Sequence, residues 1–115
     1  MLDAAEVLIG SIRNACAFST YGCETVAFVL PSINEEGRQL VEGMGWRIIV
    51  KDLPVAVEDI ENKPYREHVV ISGCCGVNEF IKLHAYTLTE FHRVVHLDVD
   101  TLVLHPLDQL MGGQE

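Results

Sequence analysis

Positive charge is scarce in this chain: 8 Lys and Arg stand against 17 Asp and Glu in 115 residues, a net charge of −9. The few cations are scattered, which argues against a nucleic-acid backbone as partner, since a polyanion attracts proteins through clustered Lys and Arg. An acidic membrane surface is disfavoured on the same ground. Long apolar runs are missing too. The longest, such as Val26 to Leu30, fall far short of the ~20 residues that cross a bilayer. Met1 to Ala5 lacks the basic region of a signal peptide. Metal-type cysteine spacing is also absent. Cys16, Cys23, Cys74 and Cys75 include no pair two residues apart and fit neither a zinc ribbon nor a disulfide scaffold, so they read as buried, reduced thiols. Internal repeats and low-complexity tracts do not occur.

What is present is enough apolar material to fold. At 49% hydrophobic residues the chain is too apolar for intrinsic disorder. Its length is one domain's worth at most, since single cores occupy about 100–200 residues.

The patterning predicts alternating helices and strands. Ala5, Leu8, Ile12 and Ala15 recur at three- and four-residue steps, which predicts a helix from Asp3, its N-cap, to about Ala15. Thr25 to Leu30 is β-branched and aromatic and is closed by Pro31, the pattern of a strand buried on both faces. Asn34 can cap a second helix over Glu35 to Met44, with Glu35 and Glu36 at its positive end and Gly45 as its stop. Trp46 to Val50 reads as a second strand, with Trp46 in the core. Asp52 to Asn78 loses periodicity and reads as a long excursion, functional or poorly ordered. A third helix is expected over about Val77 to Thr89, a third strand over Arg93 to Leu97, and a short turn of helix from Pro106 through Leu110. This order predicts an α/β layer with a mainly parallel sheet and flanking helices.

In such sheets ligands bind beyond the carboxyl ends of the strands, which singles out Asp98 and Asp100. Two carboxylates at i and i+2 project to one side of an extended chain, about 6.6 Å apart and closer where the chain bends. A hard divalent cation, Mn²⁺ or Mg²⁺, can bridge them and keep positions open for phosphate oxygens. Spacing alone is weak, because this many acids give roughly two or three such pairs by chance, and Asp59 and Glu61 form another. Context strengthens it: the pair lies between Arg93–Leu97 and Thr101–Leu104, two segments expected to be buried, where unpaired carboxylates are costly.

The stretch from Lys82 to Leu110 reads Lys-Leu-His-Ala-Tyr-Thr-Leu-Thr-Glu-Phe-His-Arg-Val-Val-His-Leu-Asp-Val-Asp-Thr-Leu-Val-Leu-His-Pro-Leu-Asp-Gln-Leu. It closely resembles glycosyltransferase family 8, the glycogenin-like enzymes. That family shows a Lys-Leu-x-x-x-x-Leu-Thr-x-Tyr helix, a strand ending in Leu-Asp-x-Asp-Thr-Leu-Val-Leu, and an Ile-Asp-x-Leu segment. The resemblance implies a GT-A fold for nucleotide-diphospho-sugars and a hexosyltransferase. Such an enzyme transfers a hexose from a UDP-sugar, with retention and with Mn²⁺ (or Mg²⁺), to a protein or carbohydrate acceptor. Carried over by position, Asp98 and Asp100 would bind the metal, and Lys82, Asp98 and Val99 would contact the donor. No catalytic residue is assigned.

Departures from the pattern are informative. The family's domain opens with a strand, roughly Tyr-Val-Thr-Leu, before the helix with which this chain starts. It continues to a His-x-x-Gly-x-x-Lys-Pro-Trp segment that supplies a third metal ligand. Neither is present, so residues 1–115 are expected to be one incomplete glycosyltransferase domain, a partial GT-A fold without its first strand and C-terminal half. Such a piece is expected to be inactive alone. Val99 for Ala and Phe91 for Tyr are mild changes. The family acts both in the cytosol and in the Golgi lumen, and no residue here chooses between them.

Two other readings compete. Asp98-Val-Asp100-Thr101-Leu102 also evokes haloacid-dehalogenase phosphatases, where the first Asp is a phosphoryl nucleophile and the second an acid/base, but that pattern has Gly before Thr. Alternatively, the acidic Asp52–Glu67 excursion serves a non-catalytic interaction module. An EF-hand fails because Val103 stands where the loop's sharp turn needs Gly. His92 and His96 on a strand would be about 13 Å apart, too far for one metal ion. His105 carries no assigned role.

Overall fold

The computed structural model describes residues 2–71 and 76–112. Helix α1 spans Leu2–Ala17 and buries Leu8, Ile9 and Ala15. Asp3 therefore lies inside its first turn, where a carboxylate suits the helix dipole, and is not the N-cap. Strand β1, Val26–Val29, pairs in parallel with β2, Arg47–Val50, in the register Val26↔Arg47 to Val29↔Val50. The helix between them, α2, spans Glu35–Met44. Its start is fixed by Asn34, whose Oδ1 accepts the Gly37 N–H at 2.8 Å. Its end is fixed by Gly45 at φ 111°, a left-handed conformation that L side chains disfavour. This β–α–β unit bears out the parallel α/β arrangement.

The excursion after β2 is more regular than its sequence suggests. It holds a 3-10 turn at Val57–Asp59 and helix α3 at Lys63–Ile71, with Val69 buried. Asn62 explains the start of α3: its Oδ1 accepts the Tyr65 N–H at 2.9 Å, the bond of an N-cap. The next helix is wound as 3-10 over Gly76–Thr87 and packs against β1 and α3. His84 holds it to the sheet. Its Nε2 lies 2.7 Å from the Asp52 carbonyl oxygen, and its ring centroid is 5.6 Å from that of Phe28 in β1. Helix α4, Asp108–Gly112, ends the described chain.

Three further expectations are corrected. Residues 93–97 do not form a third strand; among the described residues the sheet has two strands. Composition gives a segment the capacity to extend, but pairing makes it a strand, and this one has no partner among the described residues. Leu102 and Leu104 are 56% and 73% exposed and Val94 is 41% exposed, so neither segment flanking Asp98 and Asp100 is buried. Finally, Cys16 and Cys23 are not reduced thiols. They form a disulfide with Cα atoms 6.2 Å apart, because the turn that ends α1 brings the chain back beside its last turn. Cys74 and Cys75 lie outside the described residues.

Candidate functional site

Lys82, on the Gly76–Thr87 helix, reaches the aspartate pair. Its Nζ lies 3.0 Å from Asp98 Oδ1 and 2.5 Å from Glu79 Oε2, one 3-10 turn earlier on its own helix. The ammonium thus bridges two carboxylates. The hydrogen bonds it donates to Glu79 and then to Asp98 raise its pKa, so Lys82 is a cation throughout the physiological range. The reciprocal effect holds the Asp98 carboxyl below the ordinary carboxylate range, first through the hydrogen bond and charge of Lys82 and then through His96. His96 Nε2 is 3.5 Å from Asp98 Oδ1, so the Lys82 ammonium and the His96 imidazole approach the same oxygen.

The aspartates lie on a turn. The Thr101 N–H and hydroxyl both donate to the Asp98 carbonyl oxygen, at 3.1 and 2.6 Å. The chain therefore turns directly after Asp98, and the bend anticipated at this point is present. Val99 is half-buried, whereas Asp98 and Asp100 are exposed. No ion pair among the described residues engages Asp100. Nor is any group of three or more His, Cys, Asp or Glu side chains arranged there to hold a metal ion. Two hard carboxylate oxygens, one of them kept ionised, nevertheless suit a hard divalent cation.

The structure thus brings together Lys82 and Asp98, far apart in the chain, and adds Glu79 and His96, which sequence reasoning missed. Both carried a signal. Glu79 is three residues before Lys82, the spacing of neighbours on one helix face. His96 is two residues before Asp98, on the same side of an extended chain. A cavity of about 530 Å³, lined in part by Cys23, Thr25, Glu42 and Trp46, is lined by none of the predicted site residues. It sits at the amino ends of the strands, opposite to where α/β sheets bind ligands, and we do not identify it with the site. Arg47 beside it is paired with Glu24 at 3.0 Å and Glu90 at 3.2 Å, which ties the turn after Thr87 to the start of β2.

No helix among the described residues is long and apolar enough to cross a membrane. The chain matches no family model, no curated protein and no solved structure.

Proposed function

We propose that this chain is the central part of a hexosyltransferase domain similar to glycosyltransferase family 8, with Lys82, Asp98, Val99 and Asp100 at its donor site. The observation that carries the reading is the 3.0 Å approach of Lys82 Nζ to Asp98 Oδ1, between two positions that the resemblance assigns to one site. Asp98 and Asp100 would hold Mn²⁺ or Mg²⁺, which supplies neutralisation of a departing diphosphate. Lys82, already a cation, would add a second positive charge against the phosphates of a UDP-sugar. Glu79 keeps that ammonium protonated, and Lys82 keeps Asp98 ionised, so both groups are in the charge state donor binding needs. The acceptor would be a hydroxyl of a protein or carbohydrate.

Exposure and pairing both support a larger domain. Among the described residues, 93–97 have no strand partner, and Phe18, Ile71, Leu104 and Tyr86 are all more than 70% exposed, surface that further chain would cover.

Mn²⁺ titration followed by electron paramagnetic resonance, with and without UDP, tests the site. Bound Mn²⁺ is expected for the natural sequence, enhanced by UDP, and weakened by Asp98→Asn and by Asp100→Asn. Equal Mn²⁺ binding by all three proteins would refute the reading.

A further inference from the structure

The segment closed by the Cys16–Cys23 disulfide, at a sequence separation of 7, is also the surface on which α4 rests. Ser19 Oγ donates to Asp108 Oδ1. The Thr20 N–H and hydroxyl donate to Asp108 Oδ2 at 3.1 and 3.2 Å. The Tyr21 N–H donates to Ser19 Oγ at 3.1 Å, fixing the hydroxyl that meets Asp108. The Tyr21 phenol lies so close to Gly112 that a Cβ added there would collide with its hydroxyl. Three consecutive residues inside the covalent loop thus grip both ends of α4. Outside the loop, α1 holds the preceding chain at one more point, where Ser11 Oγ accepts the Val103 N–H at 3.0 Å.

We propose that the Cys16–Cys23 pair is a redox latch: oxidised, it presents residues 19–21 as a formed cradle that docks α4, and reduced, it releases α4 and the chain leading to it. This inference stands apart from the proposed function. Cys23 is exposed and Cys16 half-buried, so an external dithiol has access. One thiolate of the dithiol attacks Cys23 Sγ, the sulfur–sulfur bond breaks, and Cys16 leaves as a thiolate that takes up a proton. The second thiol of the reductant then displaces Cys23 from the mixed disulfide. In total, two electrons and two protons pass to the cysteine pair, and the reductant becomes a disulfide.

Releasing a loop this short restores chain entropy to the undocked state, shifting docking towards it by a factor on the order of 60 at most in the chain-entropy account. The shift is confined to the loop and α4, because β1, α2 and β2 are built from bonds that do not involve residues 16–23.

Amide hydrogen exchange read by mass spectrometry tests this on the whole chain, oxidised and then treated with dithiothreitol, with Cys23→Ser as a second route to the open state. Residues 105–112 are expected to lose protection by roughly tens-fold on reduction, and equally in Cys23→Ser, while residues 26–29 and 47–50 keep theirs. In Asp108→Asn, residues 105–112 are expected to exchange fast in both redox states. Unchanged protection of 105–112 on reduction would overturn the latch. So would simultaneous loss in both strands, which would make the disulfide a global staple, or intact-mass analysis finding both cysteines as thiols in the air-oxidised protein.

Discussion

Replacing Gly45 by Ala tests how the β–α–β unit is closed. Gly45 ends α2 at φ 111°, with its N–H on the Glu42 and Val41 carbonyl oxygens. Its own carbonyl oxygen accepts the Thr25 hydroxyl at 3.2 Å, and the Arg47 N–H donates to the Thr25 carbonyl at 2.9 Å, so this residue sets the register in which β2 meets β1. A Cβ there meets the end of the Arg13 guanidinium and lies 3.4 Å from Ile9 Cδ1. The second contact is ordinary. The first is relieved by swinging Arg13 aside, at the cost of its bond to the Met44 carbonyl at 2.5 Å, exposed and worth about 0.5–1 kcal/mol. The left-handed backbone is harder to relieve and costs a β-carbon about 1–2 kcal/mol. Together these give about 2 kcal/mol, dominated by the backbone. For a domain near this size that is a fall in Tm of roughly 8–16 °C, read by far-ultraviolet circular dichroism. Arg13→Ala alone is expected to cost no more than about 1 kcal/mol, and the double variant should stay about as unstable as Gly45→Ala. Recovery of most of the lost stability in the double variant would mean that the guanidinium collision, and not φ, governs, and would refute the reasoning.

Two further outcomes follow from the charges. Lys82→Met removes the ammonium from Asp98 Oδ1 and is expected to tighten Mn²⁺ binding a few-fold without nucleotide but to weaken Mn²⁺-dependent UDP binding; the same sign in both titrations would argue against Lys82 as the donor's cation. Asp108 is held below its ordinary value of 3.8 by Ser19 and then by the Thr20 N–H. Its contribution to α4 docking is therefore complete above that value and lost as pH falls through the lower folded-state pKa. The Thr20 amide shift in a nuclear magnetic resonance titration should follow this acid-side loss, and a transition centred above 3.8 would contradict it.

The parts legible in the sequence are those whose signals are local. Helix α2 was readable from end to end because Asn34, Glu35, Glu36 and Gly45 each act within a turn of where they stand. Strands β1 and β2 were placed within a residue or two at either end, since a short β-branched run flanked by Pro31 or Gly45 leaves little choice. Helix α3 was missed because its mixed sequence has no clear apolar stripe, although Asn62 marks its start. The disulfide was missed because partner choice depends on how the chain turns after α1 and not on the spacing of the cysteines. At the candidate site, Lys82 and Asp98 were named and are in contact, while the burial expected around the pair is absent.

That last difference bears on what the site can do. The Lys82–Asp98 contact forms because its two partners sit on segments positioned by the Gly76–Thr87 helix and the Asp98–Thr101 turn. Both features arise from short-range bonds, such as Thr101 to the Asp98 carbonyl. Shielding from water is a different property. It requires surfaces contributed from elsewhere in a fold, and the side chains buried among the described residues, Leu8, Ile9, Ala15, Val29 and Val69, all lie on other segments. Two charges near 3 Å attract several-fold more weakly next to water than in a partly buried setting, so exposed carboxylates hold a divalent cation loosely. The radius of gyration, 15.9 Å against about 13 Å for a close-packed chain of this length, points the same way. If the proposed donor site is right, tight binding calls for a cover over Leu102 and Leu104, which would strengthen a cation's hold on Asp98 and Asp100 without altering either residue.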